Sequence, residues 1–310
     1  MGVFVFLPLV LPLTAWPVAR LAEQHLHPRT ATWLLSVAAG VLALCSTVCL
    51  ALLMVVGTAQ LPGNPLPDGW SDEEVRDAVP CDEVAGTSAI PALFLVMAAC
   101  SRVLWRHHRV RRRAEEALAG LPRKSVAVLP DEVPYAYALP GGRRGRVVVS
   151  TAMLATLNGP QRRALFAHER VHLTAHHHRF LLVVQLAAQA NRFLRPLCTA
   201  VSYTVERWAD EEAAARLGSR RMIAQTIGRA ALVSRGGPAA TLAGVASGGP
   251  VPRRVAALLG PPPAVRAWPP VFTAVGLAVW TAAAGTMVSA LSSANSAVTL
   301  FLVLNAATPL

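Results

Sequence analysis

The sequence predicts a mainly α membrane protein, with about four membrane-spanning helices and one compact α+β domain inserted between the third and fourth. Three observations predict it. Of 310 residues, 54% are hydrophobic and only 15% charged, with a mean hydropathy of +0.44, too apolar for an ordinary soluble domain. Four stretches approach the roughly 20 apolar residues that a helix needs to cross a hydrocarbon core. Between the third and fourth lie about 160 residues of mixed character, enough to close one core.

The first span runs from about Val3 to Val18, contains prolines and has no charge before Arg20. Lacking a positive amino-terminal region, it reads as a retained span and not as a secretory signal. The second covers about Thr32 to Thr58 and is uncharged; the third covers about Thr87 to Trp105, with Arg102 able to snorkel at its end. The fourth runs from about Pro270 to Leu291. Ala297 to Ala307 is too short to span alone and is expected at the outer interface or as an extension of a tilted fourth span.

Loop charges set the orientation. Asp68, Asp72, Glu73, Glu74, Asp77, Asp82 and Glu83 face a single Arg76 between spans two and three. Arg102, Arg106, Arg109, Arg111, Arg112 and Arg113 follow span three, and Arg20 and Arg29 follow span one. The positive-inside rule then puts the amino terminus and the acidic 59–86 loop outside, and 19–31 and 106–266 in the cytosol. The expected organisation is three spans over 1–105, a cytosolic domain over 106–266, and a fourth span with a short apolar tail over 267–310. The net charge of +12 is almost all arginine, Lys124 being the only lysine, and it gathers beside apolar segments. No aromatic-interleaved basic groove is present, so direct nucleic-acid contact is not expected. The five cysteines form no C-x-x-C pair, which argues against a disulfide framework or a cysteine zinc site.

Inside the domain, Tyr135 to Ser150 alternate around Pro140-Gly141-Gly142 and predict a β-hairpin. Ser150 or Thr151 caps a helix from Ala152 to Leu157, and Asn158-Gly159-Pro160 breaks the chain before a helix from Gln161 to His178. Phe180 to Leu197 is apolar but interrupted by Gln185, Gln189, Asn191, Arg192 and Arg195, which predicts a buried or membrane-leaning helix. Val205 to Leu217 and Arg221 to Val233 read as two more helices. Breaks follow at Gly236-Gly237-Pro238, Gly248-Gly249-Pro250 and Gly260-Pro261-Pro262-Pro263, with a short helix from Arg253 to Leu259 between the last two.

His168-Glu169-Arg170-Val171-His172 carries the chemistry. On a helix, residues i and i+4 share a face, so both imidazoles can grip one zinc ion while Glu169 acts as general base. A catalytic zinc takes three protein ligands, and Glu206 is the candidate third. Asp210 lies one turn beyond it and can orient a liganding imidazole. An acidic solvated face formed by Glu206, Asp210, Glu211 and Glu212 is the alternative for that helix. His176, in the run His176-His177-His178, is left unassigned as part of a solvated helix end.

Tyr137-Ala138-Leu139-Pro140-Gly141-Gly142, Val147-Val148-Val149-Ser150, the His168–His172 motif and Glu206-Arg207-Trp208-Ala209-Asp210 occur in the order used by integral-membrane gluzincins. The layout resembles the bacterial BlaR/MecR-type peptidases, over nearly the whole chain. That resemblance implies zinc on His168, His172 and Glu206, a catalytic Glu169, Asp210 behind the ligands, and Val147, Val148 and Val149 pairing with substrate backbone as an added strand. It also implies regulatory proteolysis at the bacterial plasma membrane, acting on a cytosolic repressor, the protein itself or a membrane protein. The chain is expected to lack the penicillin-binding sensor of those proteins, like sensor-less relatives in high-GC actinobacteria, whose genomes its arginine usage fits. Expected partners are a peptide or protein substrate and the lipid bilayer, with a cytosolic repressor and a second copy of the chain as open options. Second in rank is an HtpX-type quality-control protease. A receptor or scaffold with a structural zinc site is third, and a transporter fourth.

Overall fold

The computed structural model describes residues 6–63, 66–71, 82–119, 124–141, 145–234, 251–263 and 272–307. Prolines shape the first segment, where Leu7–Val10 (α1), a 3-10 turn at Leu11–Thr14 and Ala15–His25 (α2) follow one another. Pro12 has no N–H, so the Pro8 carbonyl loses its helical donor. The Ser46 hydroxyl donates to it instead, at 2.8 Å. The segment is a broken element against its neighbour, and not the single helix expected over Val3 to Val18; Val3 to Val5 lie outside the described residues.

Helix α3 (Pro28–Ala59) is uncharged after Arg29. Helix α4 (Asp82–Ala117) continues well past the expected end at Trp105, because the arginine-rich 106–113 run has good helix propensity. Gly57 of α3 meets Gly86 of α4 backbone to backbone, so a Cβ on either would collide. Of the acidic loop, Asp72, Glu73, Glu74, Arg76 and Asp77 lie outside the described residues.

Strands β1 (Val126–Leu129), β2 (Ala136–Leu139) and β3 (Arg146–Ser150) form one sheet in the order β1-β3-β2. The expected hairpin is β2 with β3, antiparallel with Tyr137 opposite Val148; the Gly142 of its turn lies outside the described residues. The sequence reading missed β1, which pairs parallel with β3. This placement corrects one expectation. Val147, Val148 and Val149 are fully buried in the central strand, with both edges already hydrogen-bonded, so they cannot accept an added strand. The open edge beside the helices is that of β2.

The Ser150 hydroxyl accepts from the Met153 N–H to start α5 (Thr151–Thr156). Asn158 and Gln161 form a reciprocal capping box for α6 (Gly159–Thr174). That helix stops before the expected His178, because His176 adopts a left-handed conformation at φ 55° and the chain restarts as α7 (His177–Ala190). A turn at Arg192–Leu194 then leads into α8 (Arg195–Leu217). The stretch expected as one helix over Phe180 to Leu197 is therefore a helical hairpin. Gly218, at φ 71°, ends α8, and the Ser219 hydroxyl caps α9 (Arg220–Val233). The breaks at Gly236-Gly237-Pro238 and Gly248-Gly249-Pro250 lie outside the described residues. Helix α10 (Val251–Leu259) precedes Gly260, and α11 (Ala274–Ala306) absorbs both the fourth span and the expected interfacial tail.

Three described helices are long and apolar enough to cross a membrane, within α3, α4 and α11. The α7–α8 hairpin packs along α3. Thr32 and Thr204 hydroxyls meet at 2.9 Å near one end, and the Asn191 amide donates to Ser46 at 3.1 Å near the tip. Leu35, Ala39, Val184, Leu197, Val201 and Val205 close that interface. A second core beneath α6, α8, α9 and α10 is built from Ala164, Ala213, Ile223, Ala224 and Leu258.

Candidate metal centre

Helix α6 sets His168 and His172 one turn apart on one face, while Ala164, Leu165 and Val171 anchor the helix in the interior. Helix α8 brings Glu206 across to them. His168 Nε2 lies 3.1 Å from His172 Nε2 and 3.5 Å from Glu206 Oε2; His172 Nε2 lies 3.5 Å from Glu206 Oε1. One ligand atom from each of the three falls within 4.8 Å of the others. A tetrahedral zinc with bonds of about 2.0–2.1 Å keeps its ligand atoms roughly 3.3–3.4 Å apart. Two imidazole nitrogens and a carboxylate whose two oxygens each stand 3.5 Å from one of them match that ion in chemistry and in approximate spacing.

Glu169 projects towards the open edge of β2, where the Ala138 backbone N–H bonds to its carboxylate. It is 9% exposed, and burial lifts its pKa to about 7 even though His168 and Arg254 pull it down. His168 rises to about 10: burial opposes this, but hydrogen bonds to Asp210 and Glu206 outweigh it. His172 falls to about 4, through burial first. Burial pushes Glu206 up, yet Arg254 and His172 hold it well below the carboxylate range. Asp210 is likewise lowered, its burial outweighed by Arg254 and His168.

A second layer orients the three. His168 Nδ1 lies 3.0 Å from Asp210 Oδ1, where the sequence placed Asp210. Arg254 was not foreseen: it grips Asp210 with two bonds of 2.7 and 2.8 Å and reaches Glu206 Oε2 at 2.8 Å. No local pattern announces it, because α10 folds back from more than forty residues downstream. His177 was also missed. Its Nδ1 lies 3.0 Å from His172 Nδ1, its side chain is almost fully buried, and Trp208 packs 4.6 Å from its ring. Burial keeps His177 neutral, so it can accept the Nδ1 proton of His172 and leave His172 Nε2 free to bind a metal. The one sequence signal was the histidine run itself. His176 keeps no part in the site beyond supplying the left-handed turn that aims His177 inward.

Residues 101–236 match the model of Peptidase family M48, a zinc metallopeptidase family. The match spans His168, Glu169, His172, Glu206 and Asp210 and stops short of Arg254. No curated protein and no solved structure matches the chain significantly.

Proposed function

We propose that this protein is a membrane-embedded zinc endopeptidase, with His168, His172 and Glu206 as metal ligands and Glu169 as the catalytic base. The observation that carries the reading is the spacing of those three donor atoms around a point that Glu169 also borders. Zinc held there would polarise the scissile carbonyl and acidify an attacking water. Glu169, with a pKa lifted towards neutrality, takes the proton from that water at a carboxylate oxygen and delivers it to the leaving amine. Asp210 and His177 fix the tautomers of His168 and His172, and Arg254 holds Asp210 and Glu206 in place. An added substrate strand belongs on β2, since ladder alternation turns the backbone groups of Ala136 and the Ala138 carbonyl to its open edge, the Ala138 N–H being engaged by Glu169.

The substrates we favour are a cytosolic repressor, the protein itself or a membrane protein, in a regulatory role. Loop charges support a plasma-membrane protein with 59–86 outside and the metal centre, within 106–266, in the cytosol. A purely structural zinc site is disfavoured, because it has no use for a buried base beside the ligands. The test is hydrolysis by purified Glu169→Gln protein with zinc content measured in parallel. Peptide or self-cleavage is expected to fall by at least about a thousandfold, with zinc retained. Cleavage at the unmodified rate would remove Glu169 from the mechanism.

A further inference from the structure

The open edge of β2 passes between two cavities of very different size. At its Ala136 end lies one of about 290 Å³. Its walls are Met153 from α5, Leu165 from α6, and Ile223, Ile227 and Ala230 from α9. At the Ala138 end lies one of about 30 Å³, bordered by Pro140, Leu173, His178 and Leu181. Glu169 and His172 line both, so the metal centre separates them.

The larger cavity is suited to apolar side chains. Among the described residues, its one buried hydroxyl beyond the metal centre, on Thr226, already donates to the Met222 carbonyl at 2.8 Å and asks nothing of a ligand; the Ser234 hydroxyl is only half-buried. Among the described residues, its charged groups all belong to the metal centre and its Arg254 support, and Arg254 is taken up by Asp210 and Glu206. A charged substrate side chain entering there would lose its hydration without gaining a partner. The smaller cavity, about a tenth of that volume, favours a smaller side chain.

Docking direction follows from the strand. A substrate added antiparallel to β2, the commoner sense for strand pairing, runs from the Leu139 end towards the Ala136 end. The residue before the scissile bond then meets the small cavity, and the residue after it meets the large one. Resting on the metallopeptidase reading above, we propose that the protein cleaves between a small residue and a large apolar one. Met153, Leu165, Ile223, Ile227 and Ala230 enclose the large apolar side chain.

The test uses full-length, zinc-loaded protein in detergent micelles, a mixture of peptides randomised on both sides of each bond, and mass spectrometry of the products. Leu, Ile, Met or Phe is expected directly after the cut, and Gly, Ala or Ser directly before it. Ala230→Phe fills the large cavity, so the ratio of kcat/KM for Leu over Ala after the cut should fall by about tenfold or more. Ile227→Ala, which widens the same wall, should raise the ratio of Phe over Leu. Zinc content of both variants reports that the centre is intact. Cuts without apolar enrichment, enrichment on the other side of the bond, or ratios untouched in both variants overturn the proposal while leaving the peptidase reading in place. Absence of any zinc-dependent cleavage that Glu169→Gln abolishes overturns both.

Discussion

Each of the two histidines proposed as zinc ligands is held from behind, and the two holders differ in how easily a sequence reveals them. Asp210 was legible because Glu206 and Asp210 sit one helical turn apart, a spacing that survives any tertiary arrangement. His177 was not, because five residues along an unbroken helix would turn it away from His172, and only the left-handed His176 brings it back. A non-glycine residue held at positive φ costs on the order of 1–3 kcal/mol and is retained where the site needs it. His177→Ala is therefore expected to weaken zinc binding about 10–100-fold without unfolding the protein, measured by competition with a chelating dye. Unchanged affinity would reduce His177 to a packing residue. The same pair of histidines sets a proton count. Without metal, His168 is protonated up to about pH 10 while His172 is neutral above about 4. At about pH 8.5 Glu169 is ionised, so zinc uptake must expel at least about one proton, from His168, with a further one as the zinc-bound water ionises. Affinity should therefore fall as pH is lowered, and calorimetry in buffers of different ionisation enthalpy reads the proton directly. A count near zero would mean that the carboxylates do not hold His168 charged.

At the scale of elements, the long apolar helices and the capped α6 were legible, because hydropathy and the Asn158–Gln161 box are local signals. Two elements were not. Strand β1 has only four residues and exists because β3 offers it an edge; with β3 paired on both sides, β2 rather than Val147–Val149 is the edge proposed for a substrate. The helical hairpin read as one helix because the apolar run continues across it. Its turn is specified by Asn191, whose side chain accepts from the Phe193 N–H and donates to Ser46. Glycine matters at one contact in particular. Gly57 and Gly86 bring α3 and α4 so close that no side chain fits between them, as in other close-packed apolar helices. Gly86→Val should force the pair apart at a cost of about 1–3 kcal/mol, seen as a lower Tm in detergent. A Tm equal to that of the unmodified protein would show that α3 and α4 do not depend on this contact.

For the whole molecule, the hairpin decides where the candidate metal centre sits. Ser46 lies about 21 Å further along α3 than Thr32, at 1.5 Å of rise per residue. The hairpin tip bonds to Ser46, whereas Thr204, two residues before Glu206, bonds at the level of Thr32. If α3 crosses the bilayer, the tip must enter it while both arms return to the same side. Helix α7 has 14 residues, about 21 Å of helix and short of a hydrocarbon core of about 30 Å. It can dip but not cross. That resolves the conflict that a single crossing over 180–197 would create, since His172 and Glu206 stay on one face of the membrane. The polar tip is tolerable on the same terms: Asn191 is hydrogen-bonded, and Arg192 and Arg195 are long enough to reach back towards headgroups. In a background without native cysteines, Phe193→Cys should resist a membrane-impermeant maleimide added from either side. Leu61→Cys should react from outside only, and Leu259→Cys from the cytosol only, since both side chains are exposed. Labelling of Phe193→Cys from the outer face would mean that the hairpin traverses the bilayer, and the metal centre would then have to lie further from the membrane surface than the Thr32–Thr204 contact permits.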